Sequence, residues 1–129
     1  MISHLDHLVL TVADIEASVA FYKRVLKLSD NTFANGRRSV NFGHQKINLQ
    51  TLGMEQRNHA ATGSGDLCLI TDWTLADVIA HLQSEGVTII EGPVPKTGAQ
   101  GPMMSVYFND PDGNLIEISS YDEAGALSG

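Results

Sequence analysis

One carboxylate stands where a β-strand rarely carries one. In Val106–Ile118, VYFNDPDGNLIEI, two β-forming runs flank the turn residues Asp110-Pro111-Asp112-Gly113-Asn114. Strand alternation puts Leu115, Glu117 and Ser119 on one face, with Ile116 and Ile118 on the other. A charged side chain in mid-strand calls for solvent, a counter-charge or a task. Three more polar residues interrupt apolar runs: His7 in HLVL, Asn48 in INL and Asp66 in DLCL. Imidazole, amide and carboxylate all donate through nitrogen or oxygen. Gathered together they would suit a divalent cation. Singly, each has a plainer reading: an N-terminal His, an edge Asn, a loop-exit Asp and a salt-bridged or exposed Glu.

The elements that carry these residues occur twice. Leu8–Val12 reads as a buried strand, led in by His4, Leu5, Asp6 and His7. Asp14 then caps a helix with Ile15, Val19, Tyr22 and Leu26 at helical spacing, ending near Lys27. A polar loop, Ser29 to Arg37, leads to strands at Ser39–Phe42 and Lys46–Leu52. The pattern restarts with a strand at Leu67–Thr71 and a helix capped by Thr74 and closed by Gly86. Val87–Ile90 is predicted as a short strand and Glu91–Pro102, rich in Gly and Pro, as a flexible loop. Ser105–Phe108 and Leu115–Ser119 close the unit.

Overlaying the two copies aligns His7-Leu8-Val9-Leu10 with Asp66-Leu67-Cys68-Leu69, and Ile47-Asn48-Leu49 with Ile116-Glu117-Ile118. Ser39–Phe42 aligns with Ser105–Phe108. The polar residues shared by the copies are therefore His7 with Asp66 and Asn48 with Glu117, on strands that support a ligand set rigidly. The chain reads as one domain over 1–129, with modules of about 4–53 and 65–121 joined by a linker at 54–64.

Composition narrows the function classes. With 129 residues the chain is long enough for one real core. A net charge of −7, with no basic run longer than Arg37-Arg38, argues against nucleic acid and anionic membranes as partners. No apolar stretch approaches a membrane span, and the N-terminus lacks the basic start of a signal peptide. The single cysteine, Cys68, fits a reducing cytoplasm and reads as a buried small hydrophobe within LCLI. Arg37 and Arg38 are candidates for gripping an anionic substrate. Lys96, in a candidate lid over Lys96–Gly101, offers a charge for a carboxylate, and Met103 an adaptable apolar wall. His44, Gln45, His59 and His81 read as solvated.

The chain resembles the vicinal oxygen chelate superfamily of glyoxalase I, extradiol dioxygenases, methylmalonyl-CoA epimerase, fosfomycin-modifying enzymes and bleomycin-resistance proteins. LDHLVLTVADIEASVAFYKRVLKL, NFGHQKINLQTLG and YFNDPDGNLIEISSY carry the resemblance. Within the superfamily it is most similar to the lactoylglutathione-lyase-like group of glyoxalase domain-containing protein 5. The resemblance implies an α+β fold of two paired βαβββ modules forming an open, cleft-like mixed sheet. It implies a homodimer, each site combining one half of each subunit.

The family's metal ligands fall on His7, Asn48, Asp66 and Glu117, with Gln50 as the alternative to Asn48. Glu117 would also be the catalytic base. The implied cofactor is a divalent ion (Ni, Mn, Co, Mg or Zn). The implied activity is a lyase or isomerase reaction on vicinal oxygens through a metal-stabilised enediolate, the substrate a small molecule such as a glutathione hemithioacetal. Glyoxalase I usually has Glu at Asn48 and His or Gln at Asp66. These departures leave a metal-free binding or resistance protein as the alternative. Iron dioxygenase chemistry needs a second His that the pattern here does not supply.

Overall fold

The computed structural model describes residues 1–122. In chain order it contains β1 (His7–Thr11), α1 (Ile15–Leu26), β2 (Ser29–Phe33), β3 (Arg37–Phe42), β4 (Gln45–Gln50), β5 (Asp66–Ile70), α2 (Leu75–Ser84), β6 (Glu91–Gly98), β7 (Gly101–Asn109) and β8 (Leu115–Ser120). These make two four-stranded mixed sheets, ordered β1-β4-β3-β2 and β5-β8-β7-β6. Each sheet with its helix is a βαβββ module, and the class is α+β. The chain divides into two compact units. One is Met1–Gly65 with the turn Asp110–Asn114, and the other is Asp66–Asn109 with the chain from Leu115. No helix among the described residues is long and apolar enough to cross a membrane.

In the first unit, Asp14 sits in extended backbone and its carboxylate accepts the Ala17 amide at 3.0 Å, starting α1. Lys27 turns left-handed and stops it. The helix buries Val19, Tyr22 and Val25 against the sheet face that carries Leu10, Val40, Ile47 and Leu49. Each such side chain contributes roughly 1.5–3 kcal/mol by leaving water. Beside this apolar contact, Arg38 bridges α1 to β2 through Glu16 at 2.9 Å and Asp30 at 2.8 Å.

The turn Asp110–Asn114 is held by buried polar bonds. The Asp110 carboxylate accepts the Tyr22 hydroxyl at 2.7 Å, the Asn114 side-chain amide at 2.8 Å and the backbone amides of Asp112 and Asn114. Asn114 in turn accepts the Gly65 amide at 2.6 Å, and a Cβ at Gly65 would collide with both Leu10 and Asn114. With Asp110 only 5% exposed, these donors replace the water its charge would otherwise need.

In the second unit, Thr74 caps α2 by accepting the Asp77 amide, and Leu75, Val78 and Leu82 are buried on the helix face turned to the sheet. Leu67, Met104, Val106, Phe108, Ile116 and Ile118 complete this core.

Two strands depart from the sequence reading. Ser29–Phe33, expected as part of a loop, pairs with β3, and Glu91–Gly98, expected as a flexible loop and lid, pairs with β7. Both are edge strands, where polar residues and proline are tolerated and hydrophobic alternation fades. Pro93 and Pro95 lie on such an edge, next to a register shift between Glu91 and Val94. Val87–Ile90, expected as a strand, belongs to no sheet.

Tyr22→Phe should cost about 1.5–3 kcal/mol at neutral pH, the scale of a hydrogen bond to a charged group. Burial first and the Asp110 charge second hold the Tyr22 hydroxyl well above its ordinary value of 10.0. Above that pH the unfolded chain loses the phenolic proton and the folded chain keeps it, so stability falls as pH rises. Urea unfolding should therefore show the gap between parent and Tyr22→Phe narrowing at alkaline pH. A gap that stays constant would contradict this.

Candidate functional site

Strand register decides which side chains share a surface. β1 pairs in parallel with β4, so Val9 lies beside Asn48, and β5 pairs in parallel with β8, so Cys68 lies beside Glu117. Alternation then places His7, Asn48 and Gln50 on one face of the first sheet, away from α1. It places Asp66, Cys68, Glu117 and Ser119 on the corresponding face of the second. The repeat holds in space for these strands. It shifts for the hairpin strand: Ser39 is opposite Asn48, and Tyr107 is opposite Glu117, so the counterpart of Ser39 is Tyr107 and not Ser105.

In the second unit the outward face opens into a cavity of about 400 Å³ lined by Asp66, Glu91, Lys96, Tyr107, Glu117 and the apolar Ile90 and Leu115. Glu117 is half-buried there, and among the described residues no Lys or Arg pairs with it. Its support is a chain of hydroxyls. Ser119 Oγ donates to Glu117 Oε2 at 3.2 Å, and lies 2.6 Å from Ser105 Oγ and 3.2 Å from Cys68 Sγ. Ser119 has one proton, and giving it to the carboxylate makes Ser105 and Cys68 the donors to Ser119. That order satisfies every member.

Tyr107, opposite Glu117, has its hydroxyl pushed up to about 12 by burial first and then by its interaction with the Glu117 carboxylate. It remains a protonated donor at neutral pH. Lys96 stands 4.0 Å from Glu91 and 5.6 Å from the Tyr107 ring centre, so its charge is already partly answered. Met103 is on this sheet face but buried, beneath the backbone of Gly98.

Cys68 corrects one expectation. It is exposed, because Leu67 takes the inward position of the strand and alternation turns Cys68 outward. Its thiol is nonetheless raised, first by burial of the sulfur's surroundings and then by the nearby Glu117 and Asp66 charges. A protonated thiol is a poor nucleophile.

In the first unit, His7 Nδ1 is 2.8 Å from Asp6 Oδ2. With the proton on Nδ1, Nε2 keeps its lone pair, the arrangement usual for a metal-bound imidazole. Asn48 is 5% exposed, and its Oδ1 is buried with no hydrogen-bond partner. The amide nitrogen of Gln50 is engaged by Thr11 Oγ1 at 3.1 Å. Of the two amides, Asn48 is the one with an oxygen awaiting a donor or a cation. Arg37 is on this same face, while Arg38 is on the helix-facing side, held by Glu16 and Asp30.

The donors thus stand as two sets, His7 with Asn48 on one sheet and Asp66 with Glu117 in one cavity. Among the described residues no three of His, Cys, Asp or Glu gather to hold a metal ion. By donor type alone, an imidazole nitrogen and an amide oxygen in the first set, and two carboxylates in the second, are groups that hard or borderline divalent cations accept. Tyr107 and Glu91 receive no role in the sequence reading, and Ser119 is placed on the face of Glu117 without one. The alternation that singled out Glu117 also marks Ser119, two residues along the same strand.

Duplicated βαβββ modules with polar donors on their outward sheet faces define a glyoxalase-like protein. The chain belongs to the Glyoxalase/Bleomycin resistance protein/Dioxygenase superfamily, whose pattern matches residues 4–118. It is 48% identical over 124 residues to virulence protein STM3117 of Salmonella typhimurium, covering 94% of this chain and 86% of that one. An integron cassette protein from the mobile metagenome of V. cholerae is 56% identical, with a TM-score of 0.89, over 94% of this chain and 97% of the other. TnmS3, an antibiotic binding protein from Streptomyces, is 25% identical, with a TM-score of 0.72, over 92% and 96% of the two chains.

The Glu117 charge raises the Cys68 thiol, so removing that charge should lower it and increase the thiolate fraction at fixed pH. Alkylation of Cys68 by iodoacetamide at mildly alkaline pH, followed by mass spectrometry, should therefore run several-fold faster in Glu117→Gln. An unchanged rate would mean that the carboxylate and the thiol do not share this surface.

Proposed function

We propose that this chain is a metal-dependent lyase or isomerase of the glyoxalase I type, acting on a small substrate with adjacent oxygens. The observation that carries this reading is Glu117: a half-buried carboxylate, open to a cavity, hydrogen-bonded by Ser119 and paired with no Lys or Arg among the described residues. Such a group is suited to removing a proton from carbon beside a carbonyl. Ser119 holds Oε2, which leaves Oε1 for proton transfer. Tyr107 supplies a protonated hydroxyl beside it, and Ile90 and Leu115 give the cavity apolar wall. Bound at the family's ligand positions, His7, Asn48, Asp66 and Glu117, a divalent cation would stabilise the oxyanion that deprotonation creates.

A second reading has its own support. TnmS3 binds an antibiotic on a related fold, and Asn48 and Asp66 depart from the glyoxalase I ligand pattern. On that reading the same surfaces sequester a small molecule without chemistry.

Turnover of the methylglyoxal–glutathione hemithioacetal, with Ni or Mn added, separates the two. The enzyme reading expects activity that Glu117→Gln lowers by about 10²–10⁴-fold, the usual share of a general base. Absence of turnover with every divalent cation tried, in folded protein, would contradict it for this substrate and favour the binding protein.

A further inference from the structure

The outward face of the first sheet holds two cations, Arg37 and Lys46, on the strands that carry Ser39 and Asn48. Arg37 and Lys46 form no ion pair among the described residues, although the chain has 15 Asp and Glu against 8 Lys and Arg. Both meet the same ring. The Lys46 ammonium lies 3.5 Å from the centre of Phe33, and the Arg37 guanidinium carbon lies 5.7 Å from it. Register explains the meeting. Phe33 is opposite Arg37 on neighbouring strands, whereas Lys46 is two strands away and reaches diagonally over the sheet. Nearby carboxylates are committed elsewhere. Glu55 feels the Arg37 charge but bonds the Arg57 guanidinium and amide, and Asp6 feels Lys46 but bonds His7.

One further observation points to a ligand. Arg37 Nε is buried with no acceptor, an arrangement that costs stability until an acceptor arrives. Like charges brought together on one aromatic face repel unless something negative joins them. An aromatic ring attracts a guanidinium without using its N–H groups as donors to oxygen.

We infer that Arg37 and Lys46, set on the ring of Phe33, form a binding site for the oxyanion group of a small ligand, a carboxylate or a phosphate. The inference rests on the first unit alone and is independent of the role given to Glu117. Of the residues anticipated to meet an anion, Arg37, Arg38 and Lys96, it keeps Arg37 and adds Lys46, since Arg38 is held by Glu16 and Asp30 and the charge of Lys96 is partly answered by Glu91.

The test is nuclear magnetic resonance of the full ¹⁵N-labelled chain, titrated at constant ionic strength with inorganic phosphate, with malonate and with uncharged malonamide. One or both anions should shift the Arg37 Nε–H and Phe33 signals saturably, malonamide should not, and the stronger anion identifies the oxyanion class. Lys46→Met keeps the apolar stem and should weaken the apparent affinity about tenfold, the scale of one charge-assisted hydrogen bond. Arg37→Gln should abolish saturation. No saturable shift with either anion would overturn the site, and so would an unchanged midpoint in folded Lys46→Met, which decides the matter even if Arg37→Gln fails to fold.

Discussion

The pairing of the first strand of each module with its last is the constraint on which the chemistry depends. In both sheets this pairing is parallel, with Val9 beside Asn48 and Cys68 beside Glu117. Sliding either strand by one residue would turn every polar donor into the core and every core residue outward. The apolar partners forbid that slip, because Leu10, Ile47 and Leu49 in one unit, and Leu67, Ile116 and Ile118 in the other, are buried under the helices. The hydrophobic core therefore aims His7, Asn48, Asp66 and Glu117, although none of them belongs to it.

The two outward faces have opposite electrostatic character. The cavity of the second unit gathers Asp66, Glu91 and Glu117 with Lys96, whereas the face of the first gathers Arg37 and Lys46, which form no ion pair among the described residues. In a chain of net charge −7, a local surplus of cations is an arrangement that folding alone does not require. The buried atoms Arg37 Nε and Asn48 Oδ1 lie on that face, and among the described residues neither has a hydrogen-bond partner. By contrast, Asp110 shows what this protein does with a buried charge that is purely structural: four donors surround it.

The sequence exposes the central strands because their two faces differ sharply. Ile47 and Leu49 alternate with Asn48 and Gln50, and Ile116 and Ile118 with Glu117 and Ser119, so the candidate donors stand out as interruptions. The caps Asp14 and Thr74 are equally plain. The edge strands escape notice for the opposite reason. Ser29–Phe33 is polar on both sides, and Glu91–Gly98 holds two prolines, so neither shows the alternation that a half-buried strand must have. Arg37 and Arg38 look interchangeable in sequence. One position of strand register sends Arg38 to the helix side and Arg37 to the polar face. Cys68 misleads because LCLI reads as uniformly buried, when only alternate residues face α2. The meeting of Lys46 with Phe33 links residues thirteen apart across three strands, and no local pattern encodes it.

That the sheet donors bind a divalent cation is the central claim, and metal stoichiometry tests it most directly. Protein purified without a chelating tag and equilibrated with Mn or Ni would be measured by elemental analysis, beside His7→Ala and Glu117→Ala, with circular dichroism as the check on folding. The account predicts about one ion per chain in the parent and loss of that ion in both variants at unchanged fold. A folded parent that retains no ion, or variants that retain it in full, would contradict it.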